Sequence, residues 1–403
     1  MTASYLQQEL SQRLRKLLFI EQQSPTVAHQ LVRELRLFGW LRAEENSARR
    51  PANASHTLTP EGTEALRESQ HDKRGFRRRL AVRMHQVYIV PGWFVARLWQ
   101  INPDGQGEII LPAPWPGWQP QSRPWKECSW NKELETHTLQ AVQKVRHVSP
   151  TGFPIEENRW TAEVRKAWER RSLLRPRGVE AKKATPSYRP RRRLAQAMRE
   201  ASVRLLFNRV SYGGPESDFP PNAPRLDPRT FMAWCPRLES LEFIFYSDWH
   251  PRVHGRILFP AAVFRSQASS DRFEAMPQIV DPDGRRLWLH QPKWPIMQDQ
   301  FWKTLVAAHR RISPHVNSMY VSLLDVRDEV CRQLRLSAAR FDEFLGNALD
   351  DMQRSDFSIS IETDIREEQR SGYGLLRRPV YIRGVPHTLI AVAHLLEAER
   401  SLR

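Results

Sequence analysis

The sequence predicts a multidomain α+β protein, and three observations carry that expectation. At 403 residues the chain exceeds what one ordinary hydrophobic core holds, so two or three domains are expected. Capped amphipathic helices alternate along it with short strand-like stretches, two of which begin or turn at Pro-Asp-Gly. A composition of 40% hydrophobic and 27% charged residues fits a folded globular chain. The expected units are residues 1–75, a basic Trp/Pro-rich region with linker at 76–185, a mixed α/β unit at 186–312, and residues 313–403.

The first helix is announced by Ser24-Pro25, a capping side chain followed by a proline suited to the first turn. Val27, Leu31, Leu35 and Phe38 then fall on one face, and Thr26, His29, Gln30, Arg33 and Arg36 on the other. Gly39 supplies a terminator. "WLRAEE" reads as a strand, "NSARRPANAS" as a loop with Arg49 and Arg50, and "HTL" as a returning strand. Thr59-Pro60 starts the next helix in "LTPEGTEAL".

Together, "SPTVAHQLVRELRLFGWL", the arginine-bearing hairpin and "LTPEGTEAL" closely resemble the MarR-like winged helix-turn-helix domain of bacterial regulators. The resemblance covers roughly residues 5–70. It implies that 25–38 is a recognition helix in a DNA major groove, with Thr26, His29, Gln30 and Arg33 at base edges and Arg36 on the same face. It also implies that Arg49 and Arg50, at the wing tip, meet phosphate or minor groove. The long flanking helices by which such regulators dimerise are not evident in this chain.

Charge points the same way. Residues 1–209 hold 37 Lys/Arg against 20 Asp/Glu, which is the whole net +17, whereas residues 210–403 hold 25 of each. Residues 165–209 alone carry 15 basic and 3 acidic side chains. Such segregation marks the first half as the polyanion-binding half. "HDKRGFRRRLAVR" continues the basic surface through Arg77, Arg78 and Arg79. "VYIVPGWFVARLWQINPDGQGEIILP" reads as a strand-like hairpin turning at Asn102-Pro103-Asp104-Gly105. "PAPWPGWQPQSRPW" is too rich in Pro and Trp for regular structure, and "NRWTAEVRKAWERRSLL" reads as a helix. "RPRGVEAKKATPSYRPRRR", with Arg191, Arg192 and Arg193, reads as a basic linker and boundary near residue 185.

In the neutral half, "LESLEFIFYSD" and "GRILFPAAVFR" read as strands, and Asp281-Pro282-Asp283-Gly284 opens a second hairpin echoing the first. Residues 325–392 weakly resemble a second winged helix. "DVRDEVCRQL" is a helix, and Ser337 caps another that carries Phe341, Phe344, Leu345, Ala348, Leu349 and Met352 on one face. "FSISIET" and "PVYIRGVPHTLIAVA" would be wing strands around a loop with Arg366, Arg370, Arg377 and Arg378. Asp342, Glu343, Asp350 and Asp351 place an acidic face on the would-be recognition helix, which favours protein docking or internal packing over phosphate.

Three constellations bear on chemistry. Glu180 and Lys182, with Asp104 as the upstream carboxylate, echo a metal-dependent nuclease motif, but Glu180 lies in the Pro/Arg-rich linker. Asp248, His250 and His254 offer ligand types, yet Pro251 breaks any helix that would present both histidines. Ser211 to Gly214 lacks the Lys-Ser/Thr of a phosphate loop. No catalytic residue, metal site or cofactor is assigned. Cys128, Cys235 and Cys331 are too widely spaced for a disulfide framework or zinc knuckle, so a reducing cytoplasm is expected. No signal-peptide core or membrane-length apolar run is present. The expected protein is a non-enzymatic, cytoplasmic, double-stranded-DNA-binding subunit of a prokaryotic complex, of a defence or mobile-element system, that docks other subunits through its C-terminal half. A transcriptional regulator and a metal-dependent nuclease are the alternatives.

Overall fold

Gly39, with φ 72°, ends a helix over residues 32–37 (α1) so that the Trp40 N–H reaches back to the Leu35 carbonyl at 3.0 Å. In the computed structural model the described residues are 32–43, 56–88, 90–115, 118, 129–173, 188–208, 228–250, 252–253, 255–261, 263–265, 273–280, 286–313, 320–351, 357–363 and 379–394. The Ser24-Pro25 helix start, Val27 and Leu31 lie outside them. Leu35 and Phe38 are buried as their spacing predicts. After the turn, β1 (Leu41–Ala43) pairs antiparallel with β2 (His56–Leu58), Leu41 opposite Leu58. Thr59 then caps α2 (Pro60–His71). Its Oγ1 accepts from the Gly62 N–H at 3.0 Å and donates to the Gly39 carbonyl at 2.7 Å. One hydroxyl thus ties the end of α1 to the start of α2, where a cap contributes about 1 kcal/mol.

Next come α3 (Lys73–Tyr88) and α4 (Val90–Ile101). The expected strand hairpin is not formed here. Val90–Ile101 is helical, Asn102 to Gly105 turns the chain, and the following strand is β3 (Ile109–Pro112). "VPGWFVARLWQI" is apolar nearly all round, so neither period stands out. Its Val, Trp and Phe favour strands locally, but burial of Phe94, Val95 and Leu98 in the core decides for helix.

A helix not expected from the sequence, α5 (Lys132–Val148), is capped by the Asn131 side chain and buries Leu134, Thr138, Ala141, Val142 and Val145. The expected helix is α6 (Glu157–Leu173). The basic linker is corrected in part. Tyr188–Val203 is a helix, α7, running on into a π-helical turn at Arg204–Asn208, so Arg191 to Arg193 are helical. Leu194, Ala197, Met198 and Ala201 bury one face, and Pro190 falls in the first turn, where it is tolerated. α7 lies against both α6 and β3.

Beyond α8 (Pro228–Ser240), β4 (Ile244–His250) and β5 (Gly255–Pro260) form an antiparallel sheet in the order β3-β5-β4. Ile109 of β3 sits opposite Leu258, so the two sequence halves share one sheet. β6 (Val263–Arg265), β7 (Phe273–Val280) and β8 (Arg286–Pro292) make a second sheet, ordered β6-β8-β7. Val280 pairs with Arg286, the hairpin expected at Asp281 to Gly284. The first Pro-Asp-Gly follows a helix, whereas the second lies between two strands.

The remainder runs α9 (Trp294–Ile312), β9 (Val321–Ser322), α10 (Leu323–Leu334), α11 (Ala338–Asp350), β10 (Phe357–Glu362), β11 (Val380–Ile382), β12 (Val385–His387) and β13 (Leu389–His394). β10, β13 and β9 form one sheet with β13 central, and β11 with β12 a separate hairpin. Ser337 caps α11 as predicted, and Phe341, Phe344, Leu345 and Ala348 are buried. Met352 and the four loop arginines Arg366, Arg370, Arg377 and Arg378 lie outside the described residues.

The expected acidic face of α11 needs correction. Asp342 is buried and accepts the Tyr381 N–H at 3.2 Å, because β11 packs over the helix. Glu343 pairs with Arg340, and Asp351 accepts the Trp294 indole N–H at 3.0 Å. Asp350 is exposed and pairs with Arg383. Buried apolar side chains form one connected cluster from Leu35 to Ile390.

Candidate nucleic-acid interface

On α1, Leu35 and Phe38 face the core, which turns Arg33 and Arg36 to solvent. In the adjoining strand Leu41 is buried and Arg42 exposed, the two-residue alternation of a half-buried strand. Arg42 is absent from the sequence-predicted set, although that alternation signals it. Among the described residues no carboxylate engages Arg33, Arg36 or Arg42. The scaffold beneath them is fixed. Glu34 is buried and pairs with Arg237 of α8 at 3.0 Å. Trp40, fully buried, packs against Phe38 and Phe76 at centroid distances of 5.4 and 6.0 Å. Gly62 lies so close to the Trp40 carbonyl that a Cβ would overlap it.

The other predicted arginines divide. Arg78 and Arg192 are exposed. Arg77 is ion-paired with Glu242, beyond α8. Arg79 donates twice to Glu68, at 2.7 and 2.6 Å, and this pairing raises its pKa. Arg193 donates to the Trp168 carbonyl at 2.7 Å and lies 3.9 Å over that indole. Arg191 is partly buried. Arg77, Arg79 and Arg193 are therefore used within the fold. Thr26, His29, Gln30, Arg49 and Arg50 lie outside the described residues.

Among the described residues, those weighed for chemistry do not converge. Asp104 is exposed in its turn, and Glu180, Lys182, His254 and Ser211 to Gly214 lie outside the described residues. Asp248 accepts from the Tyr246 hydroxyl at 2.5 Å and pairs with Arg256 at 3.1 Å. His250 is fully buried, its Nδ1 accepting from the Arg252 N–H at 3.3 Å and its Nε2 3.6 Å from Glu329. Among the described residues no group of three or more His, Cys, Asp or Glu side chains could hold a metal ion. Cys235 and Cys331 are buried free thiols, and burial pushes both well above the ordinary thiol range.

What the sequence did not reveal is a set of buried carboxylates bound across the chain. Glu108 takes Arg332 Nε and Nη2 at 2.9 and 3.0 Å and the Ser149 hydroxyl at 2.7 Å. Burial pushes its carboxyl up, but the Arg332 hydrogen bonds and charge outweigh burial and hold it below the usual range. Asp328 accepts from Ser247 at 2.6 Å and pairs with Arg327 at 3.1 Å. Glu329 accepts from Arg252, Arg311 and Gln333. Glu108 and Arg332 are 224 residues apart, a separation no local pattern reports. No helix among the described residues is long and apolar enough to cross a membrane. A scan against protein-family models, a search of curated proteins and a search of solved structures found no match to this chain.

Proposed function

We propose that this chain is a non-enzymatic DNA-binding protein that engages duplex DNA through an N-terminal winged helix. The observation that carries the reading is the trio Arg33, Arg36 and Arg42. These are exposed guanidinium groups without carboxylate partners among the described residues, on a helix and the hairpin strand beside it. A B-DNA major groove, about 12 Å wide, admits such a helix and leaves the hairpin over the flanking phosphates. The segregation of the whole net charge into residues 1–209 supports the same reading, and Arg78 and Arg192 are exposed in that half.

The order α9, β9, α10, α11, β10, β13, with β13 central in its sheet, supports a second winged helix. Its α11 is covered by β11, which favours protein contact over groove reading. The chain is accordingly proposed as a cytoplasmic subunit of a prokaryotic DNA-handling complex, in defence or mobile-element biology.

The test is anisotropy titration of the full chain with duplex, single-stranded and RNA probes over a salt series. Duplex is expected to bind best. Arg33→Ala with Arg36→Ala should reduce the slope of log K against log salt by about 2, since each phosphate no longer neutralised removes about 0.9. Unchanged binding by the triple variant with Arg42→Ala would make this face a protein-docking module. Cleavage of the probe with Mg²⁺ would make the protein an enzyme.

A further inference from the structure

The neutral charge count of the C-terminal half conceals a local excess of cations. We propose that Arg252 and Arg311 form an anion site there, a two-arginine clamp for a phosphate group. Arg252 follows β4 and Arg311 lies in the last turn of α9, yet both meet the same carboxylate oxygen. Arg252 Nη1 is 2.5 Å and Arg311 Nη1 3.2 Å from Glu329 Oε1.

Glu329 cannot swing outward to cover them. Its side chain is 2% exposed, and Gln333 Nε2 donates to the same oxygen at 2.6 Å. The two guanidinium groups lie above it with side chains 44% and 50% exposed. Each directs Nη1 to Glu329. Nε and Nη2 of both have no partner among the described residues.

Two cations thus share one buried anion, and their unused N–H groups reach solvent. A planar N–H fork matches two oxygens of a phosphate, and paired forks fixed from below need little ordering to close on one. Asp325, one turn before Glu329 on α10, is the partly exposed acid on that side. Asp328 is turned inward to Ser247 and Arg327. The ligand is a phosphate group, in a polynucleotide backbone or in a free phosphate compound.

The experiment uses the full chain and inorganic phosphate, by calorimetry at low salt, with the duplex salt series run in parallel. Glu329→Gln is isosteric and keeps the oxygen that both arginines reach, but removes the competing charge. It should tighten phosphate by about tenfold. Arg311→Gln should weaken phosphate relative to wild type, with circular dichroism confirming that both variants are folded. If Arg311→Gln also lowers the duplex salt slope by about 1, the source is a polynucleotide; an unchanged slope assigns a free phosphate compound. The paired change Arg33→Ala with Arg36→Ala should leave the phosphate titration untouched, which separates this site from the duplex surface. Equal phosphate affinity in wild type, Glu329→Gln and Arg311→Gln, or no binding by any, overturns the clamp and leaves a structural ion pair.

Discussion

Replacing Glu108 by Gln tests whether the two halves of the chain are held together by charge as well as by strand pairing. Glu108 immediately precedes β3, and its carboxylate receives two N–H groups of Arg332 and the Ser149 hydroxyl. Arg335 Nη1 stands 3.7 Å away. The side chains of Arg332 and Arg335 are 17% and 25% exposed, so removing the anion strands two largely dehydrated cations. Loss of one partner of a buried pair costs roughly 3–5 kcal/mol, and residual water at the guanidinium groups places this site near the lower end, about 3 kcal/mol. Urea unfolding followed by circular dichroism measures the loss. Ser149→Ala, which removes one hydrogen bond, is the internal scale at about 1 kcal/mol. The carboxyl titrates below its ordinary range, so its contribution is full above the unfolded pKa and is lost as pH falls through the lowered value. The Gln variant should lack that part of the acid transition. A cost no greater than that of Ser149→Ala would refute the reasoning and leave the β3–β5 pairing, with the Glu34–Arg237 and Arg77–Glu242 pairs, to tie the halves.

Gly62→Ala should destabilise the N-terminal unit by about 2–3 kcal/mol in thermal melts, because the new Cβ meets the Trp40 backbone. A neutral result would mean that α2 shifts freely away from β1. His137, stacked on Trp118 at 4.4 Å, has its pKa lowered to about 4 by burial, with the Lys144 charge assisting. Its folded pKa lies below the unfolded one, so protonation favours unfolding, and stability should fall as pH drops from about 6.5 towards 4. His137→Phe keeps the stacking without the titration, and its melting temperature should fall less over that interval.

Legibility in the sequence followed the range of the interactions. Thr59-Pro60, Ser337 and Gly39 act within one turn, and each stands where its chemistry places it. The "VPGWFVARLWQI" helix was misread because strand-favouring residues carry no information about the elements that bury them. Arg191 to Arg193 read as linker because charge masked the periodic Leu194, Ala197 and Met198 that follow. Asp342 read as exposed because its partner, the Tyr381 N–H, is 39 residues away. Arg33 and Arg36 were legible, as the buried face of their helix fixes the other. Arg252 and Arg311 were not, since β4, α9 and α10 must all be in place before the two arginines meet.

The separation between Glu108 and Arg332 also sets a clock on the nascent chain. At roughly 5–20 residues per second, the 224 residues between them take about 11–45 s to synthesise. Helices α5 to α9 emerge within that interval and each can form as it is made, since helix formation takes microseconds. β3 cannot be sheathed until β5 emerges, and the Glu108 carboxylate cannot be neutralised until α10 follows. Ile109, Ile110 and Leu111, all buried in the finished fold, therefore remain open to competing strands while the residues between β3 and β5 are made. Slowing translation between residues 112 and 255 should raise aggregation of the newly made protein more than slowing it after residue 335 does.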